Sequence, residues 1–569
     1  MKTSGIQAML ELLHGSGVKY IFGNPGTTEL PLNEALVTDR RFQYILGLQE
    51  VPVMGMADGY AMASGQLAVV NLHISCGLGH AMGILYNAFR EGTPLLVTAG
   101  QQDRRLKFEE PILAGDMVSV TKPWTKWSCE VSRVQDLPNA VRRAVQIALT
   151  PPTGPVFLSL PIDVQMEITE GLDLTPPRVP NARVRPPIES LQRAIEVLFS
   201  AKNPAILAGS RVVERDAVQE LVNVAELLGA PVIAEPGTTH GRLPFPCDHP
   251  LYGQGLPLWS PEVRERLREY DALFVVGMDL LRLYVYYDPP RPIPEHIRLV
   301  QLDEDPYQLG KNYPLDVGIV GDTKAGLADL GTMLKLIDNQ LTPPQRELIA
   351  ARKVRHAAHH DADREKLKAR IAADRDQRPL TPLALMGALA NILPPDVAVI
   401  EEAVTTTNTT FERLGTLKNT SGYFGHRGWA LGWGLGVAIG AKLAWPERPV
   451  LALLGEGAAG YGIQGLWSAA KYRLPVVFVI CNNAQYQILK IGAKGLQLPH
   501  ALKDQYEGLD LTGPEVDFVK VAEGFGVQAK RISEPDELCA AVQAAWQGNR
   551  PLLIDVPISR VTQPRLQYG

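Results

Sequence analysis

The sequence predicts an α/β protein built from three doubly wound domains with parallel sheets. Short, continuous apolar runs bounded by Gly, Pro or Asn recur along the chain, as in 154–162 and 474–483. Such runs are typical of strands that helices cover on both faces. Helical patterns separate the runs, and this alternation is typical of parallel α/β sheets. The length of 569 residues is enough for three or four domains of ordinary size.

Two segments without a regular apolar pattern divide the chain. Residues 175–187 are rich in proline, which predicts an extended linker. Residues 338–382 are strongly charged and contain few large apolar side chains, which predicts one or two exposed connecting helices. We therefore expect an N-terminal domain at 1–170, a central Rossmann-like domain at 188–337 and a C-terminal domain at 375–560.

The composition excludes several classes of protein. There are 56 Lys and Arg against 61 Asp and Glu, giving a net charge of −5, so the chain lacks the basic field of a nucleic-acid or membrane-surface binder. No apolar run reaches the length of about 18 residues that a transmembrane helix needs. The five widely spaced cysteines favour a reducing compartment. We expect a cytoplasmic enzyme that acts on small molecules, with no nucleic-acid or membrane partner.

The segment 455–483 carries the most informative motif. A buried strand leads into a turn of small residues, which are Gly455, Gly457 and Ala458. This turn lets backbone amides approach a phosphate at the start of the following helix. Glu456 lies at the end of the first strand, and Asn482 and Asn483 lie at the end of the second. Carboxylate and amide oxygens at neighbouring strand ends are the ligands that magnesium prefers.

The same glycines also fit two other interpretations. GEGAAG matches the dinucleotide-binding pattern GxGxxG, which by itself is weak support for a nicotinamide-dependent dehydrogenase. That pattern needs an acid about 20 residues on, at the end of the second strand, where this chain has 481–483, Cys-Asn-Asn. A merely structural tight turn leaves the matched carboxylate and asparagine unexplained. Both interpretations rank below the metal–diphosphate site.

Glu50 is the candidate catalytic carboxylate of the N-terminal domain. It is the one charge in an apolar setting formed by Leu46, Leu48, Val51 and Val53. We expect a desolvated carboxylate that can share a proton with a base. The alternative is a helix-terminal charge that the helix dipole favours.

Glu50 and the GEG…NN segment together resemble the thiamine diphosphate-dependent enzymes. In that family a glutamate contacts the aminopyrimidine ring, and a GDG…NN motif holds magnesium and diphosphate. The resemblance covers nearly the whole chain and is strongest to the benzoylformate decarboxylase group, while the acetolactate synthases share the architecture. The matching stretches include IFGNPGTTELPL (21–32), GLQEVPVMGMADGYA (47–61) and NLHISCGLGHAMG (71–83).

The resemblance implies a pyrimidine-binding, a central and a diphosphate-binding domain, with thiamine diphosphate and Mg²⁺ as cofactors. It implies a decarboxylase or carboligase that acts on a 2-oxo acid or aldehyde through an ylid and an enamine. The alternatives are an acetolactate synthase-like carboligase, a 2-hydroxyacyl-CoA lyase or a non-catalytic descendant. The family arrangement also implies a homodimer or homotetramer with the cofactor at the subunit interface.

The resemblance assigns roles to individual residues. The catalytic residues would be Glu50, His73, Thr27 and Tyr284. The cofactor would contact Glu50, Thr405, Trp429, Leu431, Gly455, Gly457, Ala458 and Asn483, with Leu431 as the wedge that bends it. Magnesium would be bound by Glu456, Asn483 and the carbonyl of Gln485. The substrate pocket would be lined by Thr27, His73, His80, Ile112, Leu113, Ile488 and Gly492.

Several positions depart from the pattern of the benzoylformate decarboxylase group, including Arg427 and His426, which stand where that group has small residues. Glu456 replaces the usual aspartate, and Gly492 replaces a phenylalanine, which predicts a wider pocket. The histidine of the central domain is absent, and Tyr284 or Tyr286 takes its place. A phenol, whose pKa is ordinarily near 10, is a poorer proton shuttle at neutral pH than an imidazole.

Overall fold

The computed structural model describes residues 2–235, 241–282 and 291–562. Within them lie three six-stranded sheets, and every strand pair inside these sheets is parallel. Helices follow the strands in each unit, so the predicted α/β class with three parallel-sheet domains is confirmed. The exact domain boundaries stay predictions.

The N-terminal unit contains the first six-stranded sheet and a small antiparallel pair. Its strands are β1 (Lys2–Ser4), β2 (Tyr20–Asn24), β3 (Gln43–Leu46), β4 (Ala68–Leu72), β5 (Leu95–Gln101), β6 (Trp127–Glu130), β7 (Val156–Pro161) and β8 (Ile168–Glu170). Its helices are α1 (Gly5–Gly15), α2 (Leu30–Thr38), α3 (Glu50–Ser64), α4 (Ile74–Glu91), α5 (Met117–Thr121), α6 (Leu137–Leu149) and α7 (Ile162–Met166). The sheet order is β3-β2-β4-β5-β7-β6, and β1 pairs with β8.

The central unit has the strand order β11-β10-β9-β12-β13-β14. Its helices are α8 (Ile188–Ser200), α9 (Arg211–Glu214), α10 (Val218–Leu228), α11 (Ser260–Leu267) and α12 (Thr323–Asp338). Its strands are β9 (Pro204–Ala208), β10 (Val232–Ala234), β11 (Tyr252–Gly255), β12 (Ala272–Val276), β13 (Arg298–Asp303) and β14 (Val317–Val320).

Two connectors flank the central unit. Residues 171–187 form neither helix nor strand, as their proline content predicts. The charged second connector is a single helix, α13 (Pro343–Asp374), of 32 residues. A capping box of Thr342 and Gln345 starts this helix, because the Gln345 Oε1 atom accepts from the Thr342 backbone at 2.9 Å.

The C-terminal unit has the order β16-β15-β17-β18-β20-β19. Its strands are β15 (Ala398–Glu402), β16 (Tyr423–Phe424), β17 (Val450–Gly455), β18 (Val476–Asn482), β19 (Gln528–Arg531) and β20 (Leu552–Pro557). Its helices are α14 (Pro382–Ala390), α15 (Val404–Thr407), α16 (Thr410–Leu414), α17 (Trp433–Ala444), α18 (Glu456–Gly462), α19 (Gly465–Lys471), α20 (Gln487–Gly495), α21 (Phe518–Gly524) and α22 (Pro535–Gln547). In the described part of the chain, no helix combines the length and apolarity required to cross a membrane.

Helix α3 of the N-terminal unit lies directly against helix α17 of the C-terminal unit. Glycines on both helices allow backbone to approach backbone. A Cβ atom on Gly440 would lie 2.0 Å from the Met56 carbonyl oxygen, and one on Gly59 would lie 2.4 Å from that of Val437. The indole of Trp433 also donates a hydrogen bond of 2.6 Å to the buried Asp58. Burial raises the pKa of Asp58 to about 6. This contact fixes the first unit on the third.

A substitution at this contact tests it. Gly440→Ala places a methyl group on the Met56 carbonyl, so we expect the free energy of unfolding to fall by about 2 kcal/mol. Gly524→Ala is the matched control, because a Cβ atom there meets no atom within 4 Å. Urea denaturation followed by circular dichroism measures both. Equal midpoints for the two variants would show that the helices are not held this closely.

An ion-pair hub around Asp279 joins all three units. This aspartate follows strand β12 and is 12% exposed. Its carboxylate faces four guanidinium groups, which are those of Arg90 at 3.1 Å, Arg211 at 3.1 Å, Arg427 at 3.6 Å and Arg282 at 3.7 Å. Burial opposes ionisation, but these cations hold the pKa of Asp279 below its ordinary value. Arg90 belongs to the first unit and Arg427 to the third, so the hub locks their arrangement.

Removal of the Asp279 charge leaves two buried and two half-buried guanidinium groups facing one another. We expect Asp279→Asn to destabilise the fold by about 3 kcal/mol. Asp536→Asn is the control, since Asp536 pairs with Arg375 at 3.2 Å but is 88% exposed and such pairs contribute little. Thermal unfolding measured by calorimetry compares the two. The hub would lose its assigned role if both variants melted together with the wild type.

Candidate active site

The Glu50 carboxylate lies at the first residue of α3 and is only 5% exposed. Gln49 caps this helix by accepting from the Val51 backbone amide at 2.5 Å. Both carboxylate oxygens of Glu50 have partners. Asn24 donates to Oε1 at 3.0 Å, and the Nδ1 atom of His80 lies 2.9 Å from Oε2. The expected desolvation of Glu50 is therefore present, with polar contacts that hold its orientation.

His73 precedes helix α4 and pairs with a buried carboxylate that the sequence reasoning missed. Its Nδ1 atom lies 2.7 Å from the Oε2 atom of Glu29, which is 1% exposed. Glu29 also accepts from the backbone amides of Gly26 at 3.1 Å and Gly100 at 2.8 Å. Gly77 lies close to both Glu50 and His73. A Cβ atom added there would lie 3.3 Å from Glu50 Oε1 and 3.5 Å from His73 Cβ. Glu50 and His73 therefore lie on either side of one glycine and are close in space.

The carboxyl edge of the C-terminal sheet brings Glu456 and Asn483 together. The Gln485 amide donates to Glu456 Oε1 at 2.9 Å and to Asn483 Oδ1 at 3.1 Å, so both oxygens converge on one N–H group. Strands β17 and β18 are adjacent, which explains why residues far apart in sequence meet. Ala484, which lies between Asn483 and Gln485, adopts a left-handed φ of 48°, so the chain turns at the end of β18.

This donor set fits Mg²⁺. Burial raises the pKa of Glu456, although backbone amides such as that of Gln485 oppose the rise. Among the described residues, no group of three or more His, Cys, Asp or Glu side chains is arranged for a metal. One carboxylate with amide and backbone oxygens is nevertheless the kind of partial shell that suits Mg²⁺, which retains waters and phosphate oxygens.

Glu402 organises the loop that carries Trp429 and Leu431. Its carboxylate accepts from the backbone amides of Gly432, Trp433 and Gly434 at 2.9–3.0 Å, which caps helix α17. Burial raises the pKa of Glu402 to about 7, although these three amides oppose the rise.

In this loop, Trp429 has an unusual backbone conformation and Leu431 has an exposed apolar side chain. Trp429 has a φ of 64°, a backbone conformation that costs energy for a bulky residue and is concentrated at functional sites. Leu431 is 39% exposed although it belongs to a glycine-rich loop next to a buried helix. A large apolar side chain held out in this way fits the predicted wedge under a bent cofactor.

The other predicted site residues lie in the N-terminal and C-terminal units. Thr27 begins a short 3-10 helix (Thr27–Glu29) and is exposed. Its neighbour Gly26 packs on His73, where a Cβ atom would lie 2.1 Å from the ring Nδ1. Thr405 lies in α15 after β15, and Gly455, Gly457 and Ala458 lie where β17 passes into α18.

The predicted pocket residues line two segments. Ile112 is 82% exposed and Leu113 is half-buried on the loop after β5, beside a cavity of about 680 Å³ lined by Gln102, Pro111 and Gly115, among others. Ile488 and Gly492 are half-buried on α20. Tyr284 and Tyr286 lie outside the described residues.

The sequence reasoning missed Glu29 and Glu402. Each accepts backbone amides. A signal was present for Glu402, an acid at the end of a strand buried along its whole length. Glu29 lies in a polar turn without an apolar frame, so only its contact with His73 reveals it.

The site combines a buried carboxylate, Glu50, that contacts an imidazole with a separate sheet edge where Glu456 and Asn483 suit a metal-bound diphosphate. Family comparison specifies the class. The chain matches the N-terminal TPP binding domain of thiamine pyrophosphate enzymes at residues 3–111, their central domain at 191–330 and their C-terminal TPP binding domain at 404–556. Thiamine pyrophosphate is the same compound as thiamine diphosphate.

Individual relatives are similar over their full length. Benzoylformate decarboxylase of Pseudomonas aeruginosa is 34% identical, covering 97% of this chain and 98% of the relative. Glyoxylate carboligase of Escherichia coli O157:H7 is 27% identical, covering 99% and 94%. The solved thiamine diphosphate-dependent 4-hydroxybenzoylformate decarboxylase of Rhodococcus jostii RHA1 superposes with a TM-score of 0.85 at 31% identity, covering 99% and 100%. The chain belongs to the thiamine pyrophosphate enzyme family.

The role of Glu456 can be measured by cofactor binding. We expect Glu456→Gln to weaken thiamine diphosphate binding in the presence of Mg²⁺ about tenfold or more, because the only charged oxygen of the donor pair is lost. Glu456→Asp keeps the carboxylate and should bind within a few-fold of the wild type. Isothermal titration calorimetry decides between them. Unchanged affinity in Glu456→Gln would place the metal elsewhere.

The contact between Glu29 and His73 predicts an effect on turnover. Glu29→Gln loses the charged partner of the ring, so we expect turnover to fall about tenfold or more with little change in cofactor affinity. Glu34→Gln, on the exposed face of α2, is the control. Steady-state assays with the best substrate compare the variants. Full turnover in Glu29→Gln would mean that His73 does not depend on this acid.

Proposed function

We propose that this enzyme decarboxylates a 2-oxo acid by thiamine diphosphate- and Mg²⁺-dependent chemistry and can join the product to a second carbonyl compound. The observation that carries the proposal is the 34% identity over nearly the full chain to a benzoylformate decarboxylase, together with a buried Glu50 close to a His73 that pairs with the Glu29 carboxylate. When bound, the cofactor supplies the nucleophilic carbon and the electron sink for cleavage of a carbon–carbon bond.

The chain's own residues position the cofactor. Glu456, Asn483 and the Gln485 carbonyl would hold Mg²⁺, and Thr405, Gly455, Gly457 and Ala458 would contact the diphosphate. Leu431 would support the bent cofactor, and the carbonyl of Trp429 would accept from its amine. Glu50 would hold or release a proton beside the pyrimidine ring. This division of work follows from the positions of two buried carboxylates, Glu50 and Glu456.

The proposed substrate pocket combines polar and apolar side chains. Thr27 is placed to donate to the substrate carboxylate, and His73, whose ring Glu29 orients, donates or accepts a proton at the carbonyl. His80, Ile112, Leu113, Ile488 and Gly492 complete the pocket. Gly492 has no atom within 4 Å of a Cβ position, which supports a pocket with room for a bulky substituent.

Homo-oligomers are the expected functional form, with the cofactor at a subunit interface. Large apolar side chains near the predicted site are exposed in the single chain, including Phe108 at 98%, Tyr461 at 55% and Leu496 at 58%. Exposure of this kind is typical of surfaces that another subunit covers. We expect a dimer or tetramer by light scattering. The five free cysteines support a reducing, cytoplasmic location.

Product analysis tests the function. The holoenzyme is incubated with a panel of aromatic and aliphatic 2-oxo acids, with and without an acceptor aldehyde, and products are identified by mass. We expect carbon dioxide and an aldehyde, and no reaction without thiamine diphosphate. A carboligation product formed in preference to free aldehyde would instead favour the acetolactate synthase-like alternative, which the relation to glyoxylate carboligase supports. Cleavage of 2-hydroxyacyl thioesters alone would contradict the decarboxylase proposal.

A further inference from the structure

His80 makes a contact that the proposed mechanism does not use. It lies on helix α4, and its Nδ1 atom is 2.9 Å from Glu50 Oε2. The side chain of His80 is 61% exposed, whereas that of Glu50 is 7% exposed. His80 therefore connects a nearly buried carboxylate to solvent.

The two partners of Glu50 differ in what they can do. The Asn24 amide donates to Oε1 and has no titratable proton. The His80 ring has a second nitrogen, and in the part of the chain that the structure describes, Nε2 makes no hydrogen bond. An imidazole can take up a proton at one nitrogen while it gives one up at the other. Of these two partners, only His80 can conduct a proton to Glu50.

We propose that His80 is a positioning residue that fixes Glu50 and relays protons between solvent and the Glu50 carboxylate. In the inward step, a solvent proton binds Nε2 as the Nδ1 proton moves to Glu50 Oε2. The ring stays neutral and changes tautomer, and the carboxylate becomes a carboxylic acid. The outward step is the reverse. The relay rests on the proposed function, since it serves the carboxylate assigned to the cofactor.

Two observations support a relay rather than a purely structural contact. Glu50 already has a fixed oxygen through Asn24, and Gln49 caps its helix independently, so its orientation does not depend on His80 alone. His80 is also exposed, and an exposed side chain adds little to packing. A solvent route to Glu50 is needed whenever the acid must exchange its proton in a closed, desolvated site.

The test distinguishes a His80 side chain that only holds Glu50 from one that also relays protons to it. His80→Gln can still donate a hydrogen bond to Glu50 but cannot pass a proton on. In holoenzyme transferred to D₂O, acid quenching and proton NMR give the rate at which the reactive ring proton of bound thiamine diphosphate exchanges. We expect His80→Gln to bind the cofactor within about threefold of the wild type and to exchange this proton at least tenfold more slowly. His80→Ala should be equally slow and should recover with added imidazole. His359→Gln, an exposed histidine of α13, is the control.

A second readout needs no cofactor. Protein labelled with ¹⁵N in the histidine rings gives an Nδ1–H resonance of His80, assigned by its absence in His80→Gln. We expect Glu50→Gln to shift this resonance strongly while the signals of the other histidines stay in place.

The outcomes distinguish failure of the proton relay from failure of the proposed function. Wild-type exchange in His80→Gln, or no rescue of His80→Ala by imidazole, would overturn the relay and leave the proposed function intact. A His80 resonance that ignores Glu50→Gln would overturn the contact itself. Wild-type protein that binds no thiamine diphosphate would overturn the proposed function, and the relay with it.

Discussion

The backbone contact between helices α3 and α17 is the constraint on which the site depends. Glu50 is the first residue of α3, and the loop with Trp429 and Leu431 leads directly into α17. The absence of side chains at Gly59 and Gly440 lets the two helices touch through their main chains. A close-packed contact has little freedom to shift. One interface therefore positions both the acid and the loop that this chain is proposed to contribute to cofactor binding.

Buried carboxylates organise the candidate site, and each has a different set of partners. Glu402 accepts three backbone amides and acts as a helix cap, so it shapes the cofactor loop. Glu29 accepts two amides and holds His73. Glu456 shares a single amide with Asn483 and keeps lone pairs for a cation. Glu50 faces the His80 imidazole, whose side chain is 61% exposed, which suits an acid that must exchange protons.

Much of this arrangement was predictable because it is local in sequence. The parallel α/β class follows from apolar runs, and Glu456 and Asn483 follow from strand-end positions, since adjacent parallel strands end at one edge. Glu29 and the Asp279 hub were not predictable in this way. They depend on pairs such as Glu29 with His73 and Asp279 with Arg427, which lie far apart in sequence and leave no periodic pattern. The glycine spacings in α3 and α17 were visible, but nothing local told which helix each would meet. His80 was predicted to line the pocket, but its hydrogen bond to Glu50 appears only in three dimensions.

The most direct test of the account is a diffraction structure of the protein crystallised with thiamine diphosphate and Mg²⁺. The account predicts a magnesium ion bound by the Glu456 carboxylate, the Asn483 amide oxygen and the Gln485 carbonyl, with the diphosphate on that ion. It also predicts a Glu50 carboxylate on the pyrimidine ring and Leu431 beneath the bend of the cofactor. A diphosphate bound away from Glu456, or a pyrimidine ring that no Glu50 contacts, would contradict it.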